Sequence, residues 1–236
     1  MKKEKILFLI FFICSSFFME SSFAQNFPDA EESDVWNIPL NSVKNEVPLR
    51  TDNTSDFELL QNRFGGITII GYKGTDTTVI IPETIGGLPV TIIGTKAFYH
   101  KDLSAVTIPE TVVAIEPLAF AENQLQTAEI PGCMSIAYEA FAGNQLNTLV
   151  LSDRLSSIGP RAFINNQLSE LVLPGRITNI GKDAFAGNPL SSITVSASRN
   201  LFASQGFEIS FVNYYISTGR KAGVYTKDER IWALKN

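Results

Sequence analysis

Residues 139–151 read EAFAGNQLNTLVL, and near copies stand on either side: LAFAENQLQTAEI at 118–130 and RAFINNQLSELVL at 161–173. A phrase repeated at a fixed interval changes the meaning of every residue in it, so the period comes before any local assignment. Phe98, Phe120, Phe141, Phe163 and Phe185 lie 22, 21, 22 and 22 residues apart. Each follows an alanine (Ala97, Ala119, Ala140, Ala162, Ala184), and five residues before each stands Ile93, Ile115, Ile136, Ile158 or Ile180. After each Phe comes a leucine-led L-x-x-h-x-h phrase: Leu103/Val106/Ile108, Leu125/Ala128/Ile130, Leu146/Leu149/Leu151, Leu168/Leu171/Leu173 and Leu190/Ile193/Val195.

The h-x-h pair has the period of two that puts both apolar residues on one side of a short strand. One such coil cannot stand alone, because burying its few apolar side chains does not offset the entropy of ordering some 22 residues. Coils must therefore stack, with strands in parallel ladders and each Leu, Ile and Phe lying on its counterpart. The expected fold is mainly β, a solenoid.

The remaining repeat positions suit that geometry. Pro109, Pro131 and Pro174 directly follow the strand, where a residue without an N–H ends a ladder; Ser152 is the exception. Gly143, Asn165 and Gly187, two residues after the Phe, tolerate a left-handed backbone, and Glu122 departs from this. Next stand Asn123, Asn144, Asn166 and Asn188, whose amides are suited to bonding backbone groups of a turn and of the neighbouring coil; the alternative is an exposed, ligand-binding asparagine row.

The pattern N-x-L-x-x-h-x-h-P-x-x-h-x-x-I-G-x-x-A-F resembles the BspA-like, or Treponema-type, leucine-rich repeats of bacterial surface proteins, over about residues 57–236. The resemblance implies a leucine-rich-repeat solenoid with a parallel β-sheet on its concave face, exported, and associated with adhesion to host matrix proteins or other bacteria. Departures are local. Glu116 and Ala137 replace the glycine of I-G, and the coil holding Cys133 is one residue short between Pro131 and Ile136.

A stack exposes apolar faces at both ends, so the flanking segments should differ from the repeat and cover them. Residues 57–92 carry strand-like ITIIGY and TVIIP with an extra Gly86-Gly87-Leu88-Pro89 loop, an N-terminal cap with a first irregular coil before the solenoid at 93–198. Residues 199–236 hold FEISFVNYYI, AGVYT and RIWAL, read as a β-rich cap forming a meander.

Further out, residues 1–24 start with Lys2, Lys3 and Lys5, continue into ILFLIFFICSSFFM and close on Ser22-Phe23-Ala24, the form of a signal peptide cleaved before Gln25. Acylation of Cys14 as a lipoprotein is disfavoured because Ile13 precedes it where a small residue is needed. Residues 25–56, with seven acids against two bases, read as a flexible acidic leader. The expected localisation is secreted or cell-surface, and cleavage leaves Cys133 as the single cysteine, so no intramolecular disulfide is available.

Little in the sequence points to chemistry. Residues 57–198 carry twelve acids against eight bases and residues 199–236 three against six, so no segment is a basic track for nucleic acid. The one histidine, His100, stands at a non-repeated position, and no Cys/His spacing suggests a metal. Cys133 reads as a small buried apolar side chain, with an exposed reactive or dimerising thiol as the alternative. Nucleophile-elbow and phosphate-loop motifs are absent, and Glu129 and Glu170 do not share a column as a glycosidase pair would.

A non-catalytic monomer without cofactor or metal is expected. It would be a protein-binding module for host matrix or other bacterial surface proteins, or a structural cell-envelope protein without a specific ligand. The candidate binding residues are those between the two apolar positions of each strand, Thr107, Glu129, Val150, Val172 and Thr194, which face away from the core.

Overall fold

A computed structural model describes residues 55–196, 206–207, 209–228 and 231–235, all within the compact unit Arg50–Asn236. The signal segment expected at 1–24, and the leader up to residue 54, lie outside the described residues.

The repeat builds six successive coils held by two ladders on different sides of the coil. One ladder consists of the leucine-phrase strands: β3 (Thr78–Ile80), β6 (Ala105–Thr107), β8 (Thr127–Ile130), β10 (Thr148–Leu151), β12 (Glu170–Leu173) and β14 (Ser192–Val195). Pairs β3–β6, β8–β10 and β12–β14 are parallel and in register, while β6 lies beside β8 and β10 beside β12. The other ladder is the longer continuous sheet. It runs from β1 (Phe57–Gln61) and β2 (Ile67–Tyr72) through β5 (Leu88–Ile93), β7 (Ala114–Ile115), β9 (Ser135–Ile136), β11 (Ser157–Ile158) and β13 (Asn179–Ile180). The isoleucine five residues before each Phe therefore belongs to a strand of its own, and Ile93, Ile115, Ile136, Ile158 and Ile180 pair in sequence.

Between the ladders the Phe rings stack. Centroid separations along Phe98, Phe120, Phe141, Phe163 and Phe185 are 5.0, 5.1, 5.4 and 5.3 Å, with interplanar angles of 18° or less. The preceding alanine has a role as well, since its carbonyl accepts the N–H of the previous coil's Phe, at 2.8 Å for Ala119, Ala140, Ala162 and Ala184. These alanines are buried, and a larger side chain would enter the stack.

The stack does not stop at Phe185. Phe207, expected within the cap, lies 5.1 Å and 9° from Phe185 and forms a sixth rung. Gly206 takes the alanine position, accepting the Phe185 N–H at 3.1 Å. At the other end Tyr72, 5.4 Å from Phe98, and Phe57, 5.7 Å from Tyr72, extend the aromatic column.

The asparagines hold the coils together from within. Asn144 Nδ2 donates to Phe120 O of the previous coil (2.9 Å) and to Phe141 O of its own (3.2 Å), while its Oδ1 accepts the Leu125 N–H (3.1 Å). Asn123, Asn166 and Asn188 repeat the arrangement. Asn123, Asn144 and Asn166 are buried and Asn188 half-buried, so the exposed ligand-binding row is ruled out: these amides are consumed by backbone groups that would otherwise be unpaired in the core.

Within the repeat, left-handed backbone recurs in two columns. One is the column two residues after the Phe, expected at Gly143, Asn165 and Gly187, and His100 and Glu122 adopt it too. The other, two residues before it, is Lys96, Leu118, Glu139, Arg161 and Asp183, with φ between 52° and 61°. The conformation costs a residue with a Cβ about 1–2 kcal/mol. It turns the N–H toward the next coil, where Lys96, Leu118, Glu139 and Arg161 donate to the carbonyls of Pro117, Tyr138, Pro160 and Lys182 at 2.9–3.1 Å.

The short coil keeps register by compression. Val112, Cys133, Leu155 and Ile177 occupy one buried column, so Cys133 is the apolar residue of its turn. Its Sγ donates to Ser135 O at 3.0 Å, and its burial rules out the exposed-thiol alternative. Gly132 absorbs the missing residue: a Cβ there would be driven into the Glu110 carbonyl. Ser152, where proline was expected, forms a turn instead, its Oγ accepting the Arg154 N–H at 3.1 Å.

At the N-terminal end β1 pairs antiparallel with β2, and β4 (Thr84–Ile85) turns onto β5 through Gly86 and Gly87, both at positive φ, a two-residue hairpin. At the C-terminal end one expectation is corrected: FEISFVNYYI is not a strand but contains helix α1 (Ile209–Ser217). The β-branched and aromatic content favours a strand. Packing decides otherwise, because Phe211, Val212 and Tyr215 at helical spacing all become buried. Phe211 meets Phe207 edge-on at 5.0 Å and Trp232 at 5.0 Å, closing the column. The hairpin β15 (Gly223–Asp228) and β16 (Ile231–Lys235) adds antiparallel to β14.

Candidate protein-binding surface

The pleat of the leucine-phrase ladder decides which side chains are offered outward. β8 and β12 alternate exposed and buried along their four residues, so Ala128/Ile130 and Leu171/Leu173 enter the core while Glu129 and Val172 face out. Register aligns the outward residues: Glu129 opposes Val150, and Val172 opposes Thr194. Thr107, Glu129, Val150 and Val172 are exposed and Thr194 half-buried, so the five residues singled out in the sequence occupy equivalent places on successive strands. Val150 is 50% and Val172 57% exposed, and they sit on neighbouring strands.

The row extends beyond these five residues at both ends. Ile80, 72% exposed, opposes Thr107, and at the other end Val224 opposes Thr194 and Lys235 opposes Val224. The signal for Ile80 was available, since Val79-Ile80-Ile81-Pro82 is the same h-x-h-P phrase as Val106–Pro109. It was hidden because Ile80 precedes Thr107 by 27 residues, the Gly86-Gly87 hairpin having lengthened that coil. Beside this row runs a second outward row, with Thr78, Thr127, Thr148 and Glu170 exposed.

The composite face has an apolar centre, Val150 and Val172, bordered by Glu129, Glu170 and threonine hydroxyls. Its backbone is held by the paired strands β8–β10 and β12–β14, which lie side by side. Such a face can bury apolar area against another protein while the rim meets polar groups.

Charge lies elsewhere on the coil as well. Tyr138 Oη donates to Glu139 Oε1 at 2.8 Å, and Glu139 pairs with Arg161 at 2.9 Å. The hydrogen bond to this carboxylate, chiefly, holds the Tyr138 phenol above its ordinary pKa. Among the described residues no group of three or more His, Cys, Asp or Glu is arranged to hold a metal ion, and no helix is long and apolar enough to cross a membrane.

The chain resembles known proteins in repeat and in fold. A leucine-rich repeat protein of T. pallidum shares 29% identity with it at a TM-score of 0.53, over 61% of this chain and 71% of that one. One from Bacteroides ovatus shares 24% at a TM-score of 0.53, over 64% of this chain and 41% of that one. No curated protein sequence matches. The model of the BspA type leucine rich repeat region matches six copies across residues 91–212, which takes in the Phe207 rung. With that repeat over more than half of its length, the chain belongs to the BspA-type leucine-rich repeat family.

Proposed function

We propose that this protein is an exported, non-catalytic protein-binding module that adheres to proteins of a host matrix or of other cells. The observation that carries this reading is the outward face of the leucine-phrase ladder, where Val150 and Val172 remain half exposed at the centre of a rigid, polar-rimmed surface. Isolated exposed valines need no explanation, but two on adjacent strands within an aligned row make a patch. Thr107, Glu129 and Thr194 complete the proposed contact row. Export rests on the charged and apolar segment at residues 1–24 and the small residues that close it.

The test is the double variant Val150→Lys/Val172→Lys. Both side chains point to solvent, so the circular dichroism spectrum and the thermal midpoint should change little. Adhesion to immobilised fibronectin, fibrinogen or laminin should fall at least about tenfold for whichever of these the native chain binds, since each lysine replaces apolar contact with a charge to be desolvated. A folded double variant that adheres as well as the native chain would exclude this face as the contact surface. Absence of saturable adhesion by the native chain to any of the three would remove the matrix reading.

A further inference from the structure

The asparagine ladder has an open end. In four successive junctions the Asn of one coil donates its Nδ2 to the previous coil's Phe carbonyl and accepts that coil's Leu N–H on its Oδ1, at 2.8–3.1 Å. The next junction lacks its asparagine. Phe207 continues the Phe column, but residue 210, one period after Asn188, is Ser210 within helix α1. The Leu190 N–H, whose counterparts at Leu103, Leu125, Leu146 and Leu168 each reach an asparagine, has no acceptor among the described residues. The Gly187 N–H, whose counterparts at Glu122, Gly143 and Asn165 each donate to a carbonyl of the next coil, has none either.

These groups border a cavity. It measures about 450 Å³ and is lined by Phe185, Gly187 and Leu190 from the fifth coil and by Phe207, Phe211 and Trp232 from the sixth rung and the cap. The Phe185 carbonyl takes one hydrogen bond, from Asn188 Nδ2 at 3.0 Å, where Phe120, Phe141 and Phe163 each take a second from the following asparagine. One donor and one acceptor are thus left at the repeat positions, Leu N–H and Phe carbonyl, that take a carboxamide at the four preceding junctions, beside an aromatic wall able to cover an aliphatic stem.

We propose that this cavity binds the side-chain carboxamide of an asparagine presented on a turn of a partner protein. The amide oxygen accepts from the Leu190 N–H, the amide nitrogen donates to Phe185 O, and the partner's backbone carbonyl meets the Gly187 N–H as the next coil would. A second copy of this chain is a poor occupant. Its repeat asparagines are already engaged inside its own stack, and the position one period before Asn123, where a head-to-tail neighbour would present one, is Lys101. The site is separate from the outward face proposed for adhesion.

The probe is the chain's own turn as a free peptide, acetyl-AGNQLNT-amide, copied from residues 142–148. It is titrated into the isotope-labelled full chain while the Gly187 and Leu190 amide resonances and the Trp232 indole are followed. Saturable shifts at both amides are expected, and replacing the peptide's third residue by Asp or Ala should weaken binding at least about tenfold, because Asp removes the N–H donors and Ala removes both partners. The Val150→Lys/Val172→Lys chain should bind the peptide as the native chain does. The proposal is overturned by the lack of saturable shifts up to millimolar peptide, or by Asp and Ala peptides that bind as well as the asparagine peptide. Concentration-dependent shifts at these amides in the chain alone would also overturn it, since they would assign the cavity to self-association.

Discussion

Phe141 stands in the middle of the aromatic column, and its truncation measures how much the column contributes. The ring is fully buried and lies 5.1 Å from Phe120 and 5.4 Å from Phe163, so Phe141→Ala removes one ring and two stacked contacts. Buried Phe-to-Ala changes cost about 3–5 kcal/mol. The upper half of that range is expected here, for two reasons. The neighbouring rings are held by backbone bonds, Phe120 N to Ala140 O and Phe163 N to Ala184 O at 2.8 Å, which the substitution leaves in place, so the gap cannot collapse. Each lost ring pair also carries about 0.5–1.5 kcal/mol beyond area burial. The assay is urea unfolding followed by far-ultraviolet circular dichroism, with Tyr138→Ala as the control, because Tyr138 is 41% exposed and outside the column. Against a total stability of about 5–15 kcal/mol, a loss near 4 kcal/mol should move the midpoint far below that of the control. Loss of less than about 1 kcal/mol, or equal midpoints for the two variants, would refute the stacked column as the principal core.

Two other sites make the same reasoning testable. Asn144→Asp removes the Nδ2 donors and sets a carboxylate against the Phe120 and Phe141 carbonyls; the introduced carboxyl should have its folded pKa raised above the unfolded value of about 3.9. The variant should therefore come closest to native stability below about pH 4 and lose ground as pH rises through the folded pKa, which thermal melts at pH 3.5 and 7 would show; a penalty independent of pH would contradict the buried placement. Cys133, fully buried with its thiol on Ser135 O, should be unreactive to a thiol reagent in the native chain and react once in denaturant; fast native labelling would contradict its place in the Val112–Leu155 column.

The stacking was legible because it demands identity. A Phe ring fits on a Phe ring, and an alanine stands where any larger group would enter the stack, so the spacing of 22, 21, 22 and 22 residues announced the columns directly. What stayed hidden is carried by groups that residue names do not report. The second left-handed column contains Leu118, Glu139 and Arg161, residues with no preference for that conformation, which is held by their N–H bonds to the next coil. The sixth rung was masked because Gly206 replaces alanine and no N-x-L follows Phe207. Helix α1 was read as a strand because Phe211, Val212 and Tyr215 satisfy strand propensity, while their burial against Phe207 and Trp232 is a tertiary fact. The outward row was legible as a row, since period two fixes which residues leave the core, but Ile80 escaped because an inserted hairpin shifts its spacing.

The copies inside this one chain form a substitution series that separates positions the stack constrains from positions it leaves free. Across five coils four inner positions hold one residue each, always Phe, always the preceding Ala, always the Ile five before, and Asn at every junction between them, while the Val112, Cys133, Leu155 and Ile177 column changes only among small or apolar types. The outward position, between the two apolar residues of each successive strand, takes Thr107, Glu129, Val150, Val172 and Thr194, with Glu129 opposite Val150 and Val172 opposite Thr194. If strand propensity alone chose these residues, β-branched types would fill every rung. Glu129 does not fit that rule, and it stands directly opposite Val150. The ladder evidently tolerates a charge there, so stacking imposes no demand on the outward position, and the valines at 150 and 172 are not required for the coil to form. The outward residues can therefore vary along the face without disturbing the column beneath it. For the same reason a lysine at either valine tests contact with a partner and leaves the fold alone.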